Sequence, residues 1–74
     1  MNMPEKIRLY IKNRGMTLTF VANKAGIDRK KFYRLINGKQ DMSLDNYEKI
    51  CSALDVKQSF FYNHDFLDSK NISA

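Results

Sequence analysis

Three glycines, Gly15, Gly26 and Gly38, divide the first half of this chain at intervals of 11 and 12 residues. Between them the apolar residues recur with a helical rather than an alternating period, so each interval fits one short helix and one tight turn. Ile7, Tyr10, Ile11 and Arg14 follow an i, i+3, i+4, i+7 spacing up to Gly15. Pro4 suits the first turn of that helix, where a missing N–H costs nothing. Thr17 is a natural N-cap for a second helix that carries Phe20, Val21, Ala22 and Lys24 until Gly26 ends it. Asp28 caps a third, with Phe32, Leu35 and Ile36 as its inward stripe and Asn37-Gly38 as its stop. Ser43 caps a fourth, in which Leu44, Tyr47, Ile50, Cys51 and Leu54 hold helical spacing across three turns. A last short helix is expected near Lys57 to Tyr62, carrying Phe60 and Phe61. No stretch alternates with period two, so the expected fold is all-α, a compact five-helix domain.

At 74 residues the chain holds one small core. The domain is expected over residues 1–66, with 67–74 as a flexible C-terminal tail. The longest apolar run is three residues, far short of the roughly 20 that a spanning helix needs, so no membrane contact is expected. The N-terminus has no basic region followed by an apolar stretch, and the expected location is the cytoplasm. A single cysteine, Cys51, cannot form an internal disulfide, and with one histidine, His64, it makes no zinc site. No nucleophile has a histidine partner and no Gly-rich phosphate loop is present, so neither catalysis, a metal nor a cofactor is expected.

The net charge of +5 is unevenly divided. Residues 1–40 hold ten Lys and Arg against two acids, a balance of +8, whereas residues 41–74 hold three against six, a balance of −3. A basic half of this size is the footprint of a polyanion partner, with nucleic acid the leading case and an anionic membrane surface the second.

The stretch GMTLTFVANKAGIDRKKFYRLINGK, residues 15–39, resembles the helix-turn-helix of the Cro and phage-repressor family. Ala22 stands where that family keeps a small residue for close approach of two helices, and Gly26 stands at the turn, where a left-handed conformation is wanted. Val21, Ile27, Phe32 and Leu35 fall on the family's buried positions, and Asn37-Gly38-Lys39 matches the loop after its recognition helix. Ser43-Leu44 through Val56 looks like the fourth helix of the same domain, extending the match to about residues 5–62. The resemblance implies a lambda-repressor-like domain with its helix-turn-helix formed by the second and third helices.

Departures from the family pattern are local. The glutamine usual at the start of the second helix is Leu18 here. The arginine and glutamate that many members pair between the first helix and the Asn-Gly turn correspond to Ile11 and Ile36. Both changed together, as expected when an ion pair is replaced by an apolar contact.

Turning the third helix by about 100° per residue puts Phe32, Leu35 and Ile36 on one arc and Lys30, Tyr33, Arg34 and Asn37 on the opposite one. Arg29 projects from its N-terminal end. Forked and point donors with a flat ring suit guanine edges and thymine methyls, so Arg29, Lys30, Tyr33 and Arg34 are the candidate base contacts. Lys31, to the side of that arc, suits a phosphate. The family's phosphate-touching positions fall on Thr17, Leu18, Asn37, Gly38, Lys39 and Gln40.

The resemblance implies a sequence-specific double-stranded DNA-binding regulator, a repressor of phage or mobile-element type. The rival is a protein-interaction module, such as an antirepressor or antitoxin, that keeps the fold. A weak homodimer is expected through the fourth and fifth helices, using the aromatics between Phe60 and Phe66.

Overall fold

A computed structural model describes residues 2–63. His64, Phe66, the boundary expected after residue 66 and the expected tail lie outside the described residues. Within them the chain forms five helices and no strand: α1 Met3–Asn13, α2 Leu18–Ala25, α3 Arg29–Ile36, α4 Leu44–Leu54 and α5 Phe60–Asn63. The all-α expectation holds.

Each of the first four helices starts on a side-chain cap. Thr17 accepts from the amide of Phe20 at 3.1 Å, Ser43 from Asn46 at 3.1 Å, and one Asp28 carboxylate oxygen from Lys30 and Lys31 at 3.1 and 3.3 Å. These caps are the expected ones. α1 begins on Asn2, whose side-chain oxygen accepts from the amide of Glu5 at 3.0 Å. Such caps satisfy amides that have no partner inside the helix.

The same four helices also end alike. At each end two consecutive amides fold back onto two carbonyls of the last turn: Gly15 and Met16 onto Lys12 and Ile11, Gly26 and Ile27 onto Asn23 and Ala22, Gly38 and Lys39 onto Leu35 and Arg34, Asp55 and Val56 onto Ser52 and Cys51. This paired closure requires one residue in the left-handed region. Gly26 supplies it at the turn between α2 and α3, with φ 72° and ψ 29°. Asp55 supplies it after α4, with φ 59° and ψ 43°. The second residue of each closure is apolar and set into or against the core at Met16, Ile27 and Val56. After α3 it is Lys39, which is exposed.

α2 lies against α1, α3 and α4, and α1 also meets α3 and α5. The core joins Ile7, Tyr10 and Ile11 of α1 to Val21 and Ala22 of α2, Phe32, Leu35 and Ile36 of α3, the inner face of α4, and Phe61. Ala22 is fully buried, as a close helix crossing needs. Tyr10, Phe60 and Phe61 meet edge to face with centroids 5.0 to 5.7 Å apart, which fastens α5 to α1. The Lys6 ammonium donates to the Phe61 carbonyl at 3.1 Å and closes the same junction.

Three details correct the sequence reading, and the exposure of Phe20 adds to it. Arg14 is not part of the inward stripe; it is exposed, with its guanidinium 5.5 Å from the centre of the Tyr10 ring. Leu44 is 66% exposed rather than buried, because the inner arc of α4 takes in Asn46 and Ala53 and so turns away from it. Phe20 is exposed, with the Lys24 ammonium over its ring. α5 starts at Phe60, not near Lys57: the amide of Phe60 bonds the Lys57 carbonyl in a tight turn, and the Tyr47 hydroxyl donates to the Gln58 carbonyl.

Candidate nucleic-acid interface

α3 is short, and its eight residues separate cleanly. Phe32, Leu35 and Ile36 are fully buried, while Arg29, Lys30, Tyr33 and Arg34 are exposed and Lys31 is half-buried. The sequence places the apolar residues one turn apart, and burying them leaves the cations and the tyrosine outward. No described carboxylate is in ion-pair contact with any of the α3 cations; the ion pair between Lys49 and Asp45 lies on α4. Asp28, at the start of α3, is turned onto the backbone amides it caps.

The two segments flanking α3 differ in how firmly they are held. On one side Thr17 caps α2 through its oxygen, which leaves the hydroxyl hydrogen able to donate outward. Leu18 is half-buried against the core, so its side chain is an anchor for α2. A groove between α2 and the start of α3 is lined by Thr19, Asn23, Ile27, Asp28, Arg29 and Lys30. Thr19 and Asn23 were missed in the sequence; the signal was their i, i+4 spacing on the outer side of α2.

On the other side the loop after α3 is tied to two helices. Arg8 of α1 donates from Nη1 to Oδ1 of Asn37 at 2.7 Å, and Arg34 of α3 donates from Nε to Oε1 of Gln40 at 3.0 Å. The first contact turns the Asn37 amide so that its NH2 group is the end left to donate. The second joins two of the sequence-derived candidates directly. Gly38 holds φ 73°, with open space where a Cβ would stand. Arg8 was missed as a site residue, because nothing local marks a helix surface cation as the partner of an asparagine 29 residues later.

The arrangement is therefore a cationic helix with its apolar back locked into a core, flanked by a capped helix start and a braced loop. Residues 6–59 match the family model described as the Cro/C1-type HTH DNA-binding domain. The chain belongs to that family. The match covers more than half of the 74 residues and includes all of the helix-turn-helix. Neither the comparison with curated proteins nor that with solved structures finds a match. As a Cro/C1-type domain the chain is a DNA-binding regulator, with α2 and α3 forming its helix-turn-helix. No described helix is long and apolar enough to cross a membrane.

Proposed function

We propose that this chain is a sequence-specific double-stranded DNA-binding repressor of phage or mobile-element type, which lays α3 in the major groove and occludes the DNA it occupies. The observation that carries the reading is the division of α3, whose exposed residues are all of types that contact base edges or phosphates. In this reading Arg29, Lys30, Tyr33 and Arg34 meet bases. Lys31, Lys39, Gly38, Asn37 and Gln40 meet phosphates on one flank of the groove, with Thr17 and the first amides of α2, including Leu18, on the other.

Two copies acting together extend the reading. One domain of this size contacts about half of an operator, and paired half-sites lie about 34–36 Å apart. Leu44 and Tyr62, both about two-thirds exposed, border a shallow groove with Met3 and Met42, and this apolar face at α4 and α5 suits a weak two-fold contact.

Selection of bound sites from random duplex DNA tests both parts. The expected product is an inverted repeat with half-sites one helical turn apart. Lys30→Ala should flatten preference at particular positions, whereas Lys39→Ala should weaken all sequences alike and reduce the salt slope by about one. Recovery of random sequence would refute the reading, and tight binding of one copy to an asymmetric site would remove its two-fold part.

A further inference from the structure

We infer that Gln40 is a positioning residue for Arg34, holding its guanidinium so that the two terminal nitrogens face a guanine, rather than a residue that contacts DNA phosphate. The inference rests on the reading of α3 as the groove-facing helix, and it reassigns Gln40 within that reading.

Three observations support it. The Nε–H of Arg34 is already taken by Oε1 of Gln40 at 3.0 Å. A guanidinium is planar, so fixing the Nε–H bond fixes the direction of the terminal edge, where the Nη pair offers two parallel N–H donors. That pair fits O6 and N7 of a guanine. Second, the partner is itself placed by the main chain: the amide of Lys39 returns to the carbonyl of Arg34 at 2.9 Å, and Gly38 returns to Leu35 at 3.3 Å. Gln40 therefore follows directly on a residue whose backbone is bonded to Arg34. Third, Gln40 is half-buried, whereas Arg34 is exposed and would otherwise sample many rotamers. The closure after α3 ends in exposed Lys39, where the other three end in an apolar residue at the core, so this loop depends on polar ties for its register.

The chemistry separates positioning from phosphate contact. A phosphate-bound glutamine lends affinity to every sequence, but a glutamine that orders Arg34 changes only the preference at the base pair Arg34 meets. The experiment measures binding of the full chain to its selected site and to variants at each base pair. Five proteins are compared: wild type, Arg34→Ala, Gln40→Ala, Gln40→Glu and the Arg34→Ala, Gln40→Ala double variant. Arg34→Ala identifies the base pair by erasing its preference. Gln40→Ala is expected to lower that same preference by about 2- to 12-fold, the factor for releasing one long side chain, with other positions unchanged. Gln40→Glu still accepts the Nε–H, so it keeps the preference while weakening all sequences through its charge. In an Arg34→Ala background, Gln40→Ala should change no preference further. Uniform loss of affinity in Gln40→Ala, with the preference intact, would overturn the inference and return Gln40 to the phosphates; so would an unchanged Gln40→Ala. If wild type selects no site, or Arg34→Ala alters no position, the underlying reading of α3 fails and the inference falls with it.

Discussion

Replacing Ile11 by arginine and Ile36 by glutamate tests how α1 holds α3. Both side chains are fully buried, and the helices that carry them are in contact. Ile11→Arg alone brings a cation into that core without a partner, at a cost of about 3–5 kcal/mol, and Ile36→Glu alone does the same with an anion. A domain of this length is stabilised by roughly 4–11 kcal/mol at typical values per residue, so either single variant should lose a large part of its stability. Together the two changes supply the arginine–glutamate pair that the family resemblance implies at these positions. A buried pair is worse than well-packed apolar residues by about 1–4 kcal/mol, so the double variant should fold and lose less than the two singles combined by at least about 2 kcal/mol. Urea melts of the four proteins give this coupling directly, provided that the slopes agree. Additive losses would show that the two side chains do not meet, and that the resemblance misaligns α1 against α3.

Asp55→Gly should stabilise the domain by about 1 kcal/mol, since glycine takes the left-handed conformation at φ 59° without the steric cost of a Cβ. Thermal melts should show a rise of roughly 4–8 °C, and an unchanged midpoint would mean that the aspartate is compensated locally. Alkaline pH should weaken the fold through α4: burial, with the neighbouring Cys51, raises the Tyr47 phenol above its ordinary 10.0, and burial raises the Cys51 thiol above its ordinary 9.0. Because the neutral forms are favoured when folded, this stability is complete below the ordinary values and falls as pH climbs past 9 and then 10. Tyr47→Phe should lower stability at neutral pH by about 1–2 kcal/mol through loss of the bond to the Gln58 carbonyl, and should flatten the upper part of the alkaline decline. Melts between these pH values check it, and a decline of unaltered steepness would contradict it.

What could be read from the residues alone follows the range of the interactions. Thr17, Asp28 and Ser43 were legible as caps because a cap and its amide lie within three residues. The exposed face of α3 was legible because its periodicity is strong over a short helix. Asp55 was not, since an aspartate in the left-handed region has no compositional mark of the kind glycine carries. Leu44 misled because i, i+3 spacing fixes an arc only up to its centre, and Asn46 was not counted as an inward residue. Arg8 with Asn37, Lys6 with the Phe61 carbonyl, and Arg34 with Gln40 were all invisible, because each depends on how helices or their loops are placed relative to one another.

The separation of α3 into a buried and an exposed arc also bears on how such a chain can diverge. Residues 32, 35 and 36 hold the helix in place, whereas residues 29, 30 and 33 can be exchanged without disturbing what lies beneath them. Under the proposed base contacts, a lineage moves to new target sequences through those three positions by single changes, each leaving a folded intermediate. Position 34 is the exception. Its side chain is shared with the loop through Gln40, so a change there leaves an amide without its partner. Substitutions at 34 and 40 are thus expected to travel as a pair among descendants, while the other three drift independently, and an engineer rewriting the helix would have to move both together.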